Sequence, residues 1–253
     1  MQSQKIMTRE ATQKEEKDFR ELEKLAHELG AKDCYFIPAE NVVIENRTTL
    51  RCDYGCEGIN VSRVCPPHIM GKKLSIDEFR GMMKEYRWTL WIEWDSDIST
   101  SGEIGESVHK LSSSSDNPVY RDPRPEEERQ DIDPNLREGA VKFFQKILQF
   151  RKQVLQPGTL EIEKRATNMG YHLAFGLYPG ACGWCYSVSE SQLKCVGPFA
   201  KTCKNPLLLR PCLMGLGINV NRTFQQNGLP EIHFPIDGQP KQFSPRQFTI
   251  VLL

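Results

Sequence analysis

The sequence lacks long apolar runs, an excess of charge of either sign and an apolar N-terminal leader. No run is long enough to cross a bilayer, so we predict no membrane span. Lysine plus arginine number 33 and aspartate plus glutamate also number 33, so charge gives no support for binding nucleic acid or an anionic membrane surface. Residues 1–19 are too highly charged for a secretory signal, which predicts a protein of the reducing cytoplasm.

Nucleotide-binding motifs are also missing. The chain has neither a Walker A loop nor the dinucleotide-binding pattern Gly-x-Gly-x-x-Gly, so no phosphate-binding loop is predicted. Histidine is scarce, with five residues, and no pattern pairs one of them with a particular cysteine as a nucleophile. The chain instead has nine cysteines, an odd number that argues against complete pairing in disulfides.

The first group of cysteines lies in a window from Arg51 to Pro67, which reads RCDYGCEGINVSRVCPP. Its cysteines follow the spacing Cys-x3-Cys-x8-Cys-Pro. A cysteine followed by proline recurs in bacterial ferredoxin motifs, in which thiolates hold iron–sulfur clusters. Gly55 and Gly58 leave backbone amides able to point at cluster sulfur. The ligands predicted in this window are Cys52, Cys56 and Cys65.

The second group of cysteines lies between residues 182 and 203, with the spacing Cys-x2-Cys-x9-Cys-x7-Cys. In the Cys-x2-Cys step two thiolates share one loop, and Gly183 permits an unusual backbone angle. Four thiolates suit either a tetrahedral zinc ion or a four-iron cluster. Structural zinc sites commonly repeat the tight pair, which occurs once in this window, and the two cysteines that follow it disfavour a thioredoxin-like redox pair. The ligands predicted in this window are Cys182, Cys185, Cys195 and Cys203.

The first window supplies only three cysteines, so its fourth ligand is open. Cys34 lies upstream and Cys212 follows an Arg-Pro step, and either could complete the set or could be a small buried hydrophobe. His68, close behind the window, could ligate or could cap the next turn. The remaining alternatives are another non-cysteine ligand, or an iron left open to bind a substrate or a partner's thiol.

Apolar spacing alternates between helical and strand-like periods, which predicts an α+β fold in which helices cover a mixed sheet. A capping box at Ser75 and Glu78 indicates a helix start, and the bulky alternation WTLWIEW from Trp88 to Trp94 suits a buried strand. The predicted helices are 8–30, 75–86, 133–157, 159–169 and 222–227. The predicted strands are 34–37, 41–44, 88–94, 171–177 and 248–253.

A stretch of low apolar content from Asp95 to Asp133 divides the chain. Its serines, prolines and acidic residues predict a long, flexible polar insertion. It separates an N-terminal part, 1–94, which carries the first cysteine window, from a C-terminal part, 134–253, which carries the second. We expect the two parts to form one compact domain with two cysteine-rich metal-binding loops.

These motifs resemble those of a family of predicted metal-binding proteins, domain of unknown function 2284. The resemblance rests on RCDYGCEG and VCPPH, on GYHLAFGLYPGACGWC, and on CKNPLLLRPCLMGLGINVNRTFQQNGLP. The residues that match the family's cysteine pattern are Cys52, Cys56, Cys65, Cys182, Cys185 and Cys203. The family's next cysteine after its Cys-x2-Cys pair falls near Val188, whereas this chain has Cys195, and serine is usual at the position of Cys212. The resemblance implies bound metal, with iron–sulfur favoured, and implies no reaction.

The residues and the resemblance together predict an iron–sulfur protein with one or two [4Fe-4S] clusters. Its predicted function is electron transfer, either as a small carrier or as a subunit of a redox complex, so its partner would be a redox protein or enzyme. Two other functions stay open at this point. One is a structural zinc protein that acts as an interaction module, and the other is an enzyme that uses an open iron site on the three-cysteine cluster.

Overall fold

The computed structural model describes most of the chain in separate segments. Helices cover a four-stranded sheet, which confirms the predicted α+β class. The segments described are residues 10–50, 52, 64, 74–96, 100–101, 142, 145–180, 182–187, 189, 192–193, 203–230, 242–243 and 246–253. The helices are α1 (Gln13–Glu28), α2 (Ile76–Met83), α3 (Gln156–Asn168) and α4 (Val220–Gln226). The strands are β1 (Ala31–Pro38), β2 (Trp88–Trp94), β3 (Thr100–Ser101), β4 (Phe175–Leu177), β5 (Tyr186–Ser187), β6 (Gln192–Leu193), β7 (Gln242–Phe243) and β8 (Gln247–Leu252).

The main sheet has the strand order β1-β2-β8-β4, so the strand nearest the C-terminus lies inside it. Its pairings are all antiparallel, whereas the sequence predicted a mixed sheet. Apolar patterning indicates which residues form strands, but it carries no information about the direction in which they pair. Every residue of β2 is buried, because both faces of the sheet are covered.

The two faces of the sheet bury separate apolar clusters, because side chains alternate along a strand. Trp88 and Trp94 lie on the face that α1 and α3 cover. Trp91 lies on the opposite face, which α2 and α4 cover, and its ring meets Phe224 edge-on at 5.4 Å. The three tryptophans of β2 are at most 2 % exposed, which confirms the prediction of a buried strand.

Two helices begin at capping boxes. α1 begins at Gln13, later than predicted, because Thr12 accepts a hydrogen bond from Glu15 N while the Glu15 carboxylate accepts one from Thr12 N. α2 begins at the predicted capping box, in which Ser75 and Glu78 make the same reciprocal pair of bonds. Both caps satisfy backbone N–H groups that have no partner inside the helix.

The predicted break between two helices at Pro157 and Gly158 is wrong. Helical residues 145–150 continue through a π-helical turn, Arg151–Leu155, directly into α3. The wider turn relieves the clash that a proline ring otherwise makes with a carbonyl one turn earlier, so Pro157 sits in the first turn of α3. α3 ends before Gly170, as predicted, and that residue has a φ of 104°.

Two predicted strands are shorter or absent. The strand predicted at 41–44 is instead a 3-10 turn, Ala39–Asn41, followed by a single bridge between Ile44 and Ile218. The strand predicted at 171–177 is confined to β4. In both places apolar residues pack on the core without extending a ladder.

The predicted insertion is described only in small part. Two of its residues form β3 and pair with β7, while 102–133 and the predicted helix start at Asp133 lie outside the described residues. Strands from both 1–94 and 134–253 share the main sheet. The division of the chain into these parts stays a prediction.

Candidate metal centre

An apolar cluster brings residues of both cysteine windows together. Cys182 and Leu209 are buried in it with Val64, a residue of the first window. Cys182 is 8 % exposed and Val64 is 1 % exposed. Trp184 and Cys203, which are partly buried, pack against the same cluster. The two windows, which are far apart in sequence, therefore meet in the folded chain.

Asn205 donates hydrogen bonds to the sulfur atoms of two cysteines. Its backbone N–H donates to Sγ of Cys203 at 3.3 Å, and its side-chain Nδ2 donates to Sγ of Cys185 at 3.5 Å. Such N–H donors stabilise the negative charge that a cysteine sulfur carries when it ligates a metal. One residue therefore links two predicted ligands and gives them a polar environment that suits thiolates.

The loop of the Cys-x2-Cys step lies between β4 and β5 and is held on several sides. Within it, Tyr186 N donates to Gly183 O at 2.9 Å, which closes a tight turn. Trp184 Nε1 donates to Leu208 O at 3.0 Å, and Lys152 Nζ donates to Tyr186 O at 2.5 Å. These bonds fix the loop against a 3-10 turn, Pro206–Leu208, and against the π-helical turn before α3.

A partly buried ion pair fixes the segment that follows the last cysteine of the second window. Arg210 Nε donates to Glu163 Oε2 at 2.7 Å, and Nη1 of the same guanidinium donates to the backbone oxygens of Leu209 at 2.7 Å and Leu207 at 3.2 Å. Glu163 Oε2 also accepts from Gly176 N at 2.6 Å. The carboxylate thus joins α3, β4 and the segment that carries Leu209 of the apolar cluster.

The two cysteines considered as a fourth ligand of the first window occupy different surroundings. Cys212 is buried, and its backbone N–H donates to the backbone oxygen of Val64 at 3.4 Å. Cys34 lies in the core between α1 and the sheet, where burial raises the pKa of its thiol and the carboxylates of Glu23 and Asp33 act in the same direction. A raised pKa disfavours the thiolate that a metal requires, so Cys34 fits a structural role.

The other predicted ligands are less fully described. Cys52 is 5 % exposed, whereas Cys56, Cys65 and Cys195 lie outside the described residues, as does His68. Within the described segments, no three histidine, cysteine, aspartate or glutamate side chains are close enough to hold a metal ion. No disulfide joins any of the six cysteines that the structure describes.

Sequence reasoning missed two residues that support this region. Asn205 stands two residues after Cys203, in a Cys-x-x-Pro step. A polar amide so close to a predicted ligand could have indicated a hydrogen-bond donor to sulfur. Glu163 gave no such signal, because it is one of several charged residues along α3.

Comparison with known proteins agrees with the cysteine motifs. A family model described as predicted metal-binding protein, DUF2284, matches residues 35–253. The chain belongs to this family. DUF2284 membership confirms the resemblance drawn from the motifs and makes the chain one of a family predicted to bind metal, without identifying the metal. No curated protein and no solved structure matches the chain significantly. In the part of the chain that the structure describes, no helix has the length and apolar character needed to span a membrane.

Proposed function

We propose that the chain is an electron-transfer protein that holds one or two [4Fe-4S] clusters. The observation that carries the proposal is the pair of N–H···S hydrogen bonds from Asn205, which links Cys185 to Cys203. Family membership supports bound metal. The proposed ligands of one cluster are Cys182, Cys185, Cys195 and Cys203, and those of the other are Cys52, Cys56 and Cys65.

The donor set fits a thiolate-bound metal centre. Cysteine sulfur prefers soft metals and iron–sulfur clusters over hard cations such as magnesium. Proteins set the potential of such a centre through burial and through N–H donors to sulfur. Both features occur here, in the apolar cluster around Cys182 and in the contacts of Asn205. A bound [4Fe-4S] centre would supply one-electron chemistry, while the residues of the chain would hold it and exclude water.

For the fourth ligand of the three-cysteine set, we favour Cys212 over Cys34. The backbone N–H of Cys212 donates a hydrogen bond to the backbone oxygen of Val64, which directly precedes Cys65 in sequence. Cys34 instead lies in the core beneath α1, with a raised thiol pKa. The proposal therefore predicts that Cys34 can be replaced without loss of metal.

The proposed function requires a partner and a compartment. A protein that only carries electrons needs a donor and an acceptor, so a redox protein or enzyme complex is the proposed partner. Cysteine ligands must stay reduced until they bind metal. The cytoplasm keeps thiols reduced, so it is the proposed compartment.

The decisive experiment is anaerobic purification followed by analysis of iron, sulfide and zinc and by electron paramagnetic resonance. Thiolate-ligated iron clusters give brown protein with broad absorbance near ~400 nm that bleaches on reduction. A colourless protein that contains zinc would contradict this proposal and favour the zinc interaction module. A cluster whose spectrum changes on adding a small ligand would instead favour an enzyme with an open iron.

Matched variants test the ligand assignment. Cys185→Ala should lose most of the iron of its cluster, because each thiolate is a direct ligand. Cys34→Ala removes a buried thiol outside the proposed site, so it should keep its iron and serve as the control. Equal iron content in Cys185→Ala and the unaltered protein would contradict the assignment.

A further inference from the structure

Gln156 is a buried polar residue whose side chain has no hydrogen-bond partner among the residues that the structure describes. It is 0 % exposed, and neither Nε2 nor Oε1 of its amide has a partner among the described residues. Such an amide costs free energy compared with an apolar side chain of the same size, so native proteins seldom keep one without a reason. Thr159 on the same helix is equally buried, yet its hydroxyl contacts Leu155 O at 2.7 Å and Thr249 Oγ1 at 3.0 Å.

The amide of Gln156 lies beside the Cys-x2-Cys loop. A Cβ atom placed on Gly183 would lie 3.5 Å from Gln156 Oε1 and 3.4 Å from the backbone oxygen of Leu148. A side chain at position 183 would therefore meet the oxygen of the Gln156 amide, and glycine leaves this space open. Gly183 stands between Cys182 and Cys185 in sequence, so the amide is next to the loop that carries two predicted ligands.

Tyr178 independently connects Gln156 to this loop. Its hydroxyl, on a residue that is 1 % exposed, donates to the backbone oxygen of Gln156 at 3.4 Å. Burial raises the pKa of the Tyr178 hydroxyl, the charge of Arg210 opposes this shift, and the negative charge of a Cys182 thiolate acts in the same direction as burial. Tyr178 therefore contacts Gln156 through its hydroxyl and stands four residues before Cys182 in the sequence.

The backbone before Gln156 also has an unusual conformation. Gln156 directly follows the π-helical turn Arg151–Leu155. Single π turns interrupt the regular hydrogen bonding of an α-helix, and they occur frequently at functional sites. Lys152 of this turn donates to Tyr186 O, just after the cysteine loop, so the turn and the loop are packed together.

We propose that the Nε2–H group of Gln156 donates a hydrogen bond to sulfur in the metal centre that Cys182 and Cys185 hold. The acceptor is either a cysteine thiolate or a bound sulfide, which share the same chemistry as anionic sulfur. This inference rests on the proposed metal centre. It assigns a partner to an amide that has none within the described part of the chain.

The assignment predicts effects of opposite sign in the metal-free and metal-loaded proteins. Gln156→Met replaces the amide with an apolar chain of similar length. Metal-free Gln156→Met should melt about 2–4 °C higher than the unaltered protein, since the unpaired buried amide is gone. Its affinity for metal should fall about tenfold, the size expected for losing a hydrogen bond to a ligand.

Cobalt(II) is a suitable probe, because cysteine thiolates bind it whether the native metal is iron or zinc. The experiment measures cobalt affinity by its visible absorption and the melting temperature of the metal-free chain. After anaerobic loading with ferrous iron and sulfide, redox titration should give a more negative potential for Gln156→Met, because a donor to sulfur is lost. Gln153→Met is the matched control, with the same change in the π-helical turn but at an exposed position.

Each outcome separates this inference from the proposed function. Weaker cobalt binding by Gln156→Met, with a more stable metal-free protein, supports the assignment. Unchanged affinity and potential would overturn it and leave the proposed metal centre standing. A lower melting temperature, or failure of Gln156→Met to fold, would also overturn it, because the amide would then have a partner without metal. If the unaltered protein binds neither cobalt nor iron, the proposed metal centre itself is wrong.

Discussion

Arg210 and Glu163 form a bidentate ion pair between the segment after the cysteines and α3. Arg210 Nε lies 2.7 Å from Glu163 Oε2, and Arg210 Nη2 contacts the other carboxylate oxygen. Their side chains are only 12 % and 14 % exposed, so water screens the pair little. The pair therefore acts as a clamp on one wall of the apolar cluster that contains Cys182.

Breaking this clamp from one side should be strongly destabilising. Arg210→Met leaves the Glu163 carboxylate poorly solvated and unpaired, so the free energy of unfolding should fall by about 3 kcal/mol in urea denaturation. The exposed pair of Lys164 and Glu161 on the same helix is the control, and Lys164→Met should cost less than about 0.5 kcal/mol. Equal effects of the two substitutions would contradict the clamp.

The side chain of Asn205 should matter for metal more than for stability. Asn205→Ala removes the Nδ2 donor to Cys185 but keeps the backbone N–H that bonds Cys203. We expect about tenfold weaker cobalt binding and a loss of about 1 kcal/mol or less in the free energy of unfolding. Lys204→Ala, a change at the exposed neighbouring residue, should leave cobalt affinity unchanged.

Glu45 should make part of the stability of the fold depend on pH. Hydrogen bonds from Arg47, Asn219 and Arg222 lower the pKa of its carboxyl from 4.5 to about 2. A lowered pKa in the folded state contributes stability above pH 4.5, and this contribution disappears as the pH falls towards about 2. Glu45→Gln should therefore be less stable than the unaltered protein at pH 7, and the difference should close on acidification.

Urea midpoints measured between pH 7 and pH 2 test the role of Glu45. Asn219→Ala, which removes one of the donors, should move the pH range of the effect upward towards 4.5. A difference between Glu45→Gln and the unaltered protein that stays constant over this range would contradict the assigned interactions.

Two glycines in helices should respond to alanine with opposite signs. A Cβ on Gly158 would lie 2.4 Å from Trp94 Cη2, so Gly158→Ala must push a buried ring and should cost about 1–3 kcal/mol. A Cβ on Gly81 in α2 would meet nothing within 4 Å, so Gly81→Ala should stabilise by about 0.5–1 kcal/mol through helix propensity. Denaturation of both variants side by side checks the packing of α3 on β2.

Local signals explain which parts of the fold could be predicted. The capping box at Ser75 and the bulky alternation of Trp88 to Trp94 act over a few residues, and both features are present as expected. The π-helical turn before Pro157 could not be foreseen, because a proline preceding a glycine ordinarily signals a helix end. The position of β8 between β2 and β4 also could not be predicted, because it depends on pairing with strands far away in sequence.

In the candidate site, too, local sequence predicts some features and not others. Spacing and residue type indicate the cysteines as metal ligands, because thiolates in short loops can converge on one centre. The meeting of Val64 with Cys182 is a long-range contact that local patterns do not encode. The Gln156 amide likewise has no hydrogen-bond partner among the described residues, and this becomes clear only when its neighbours from other segments are known.

The position of β8 has a consequence for the order of events on the ribosome. Gln247–Leu252 pairs with both β2 and β4, and it follows both cysteine windows along the chain. The sheet that joins the N-terminal and C-terminal parts therefore cannot form until the thiols of both windows have been synthesised. The nascent polypeptide thus carries the cysteines of both windows before the four-stranded sheet is complete.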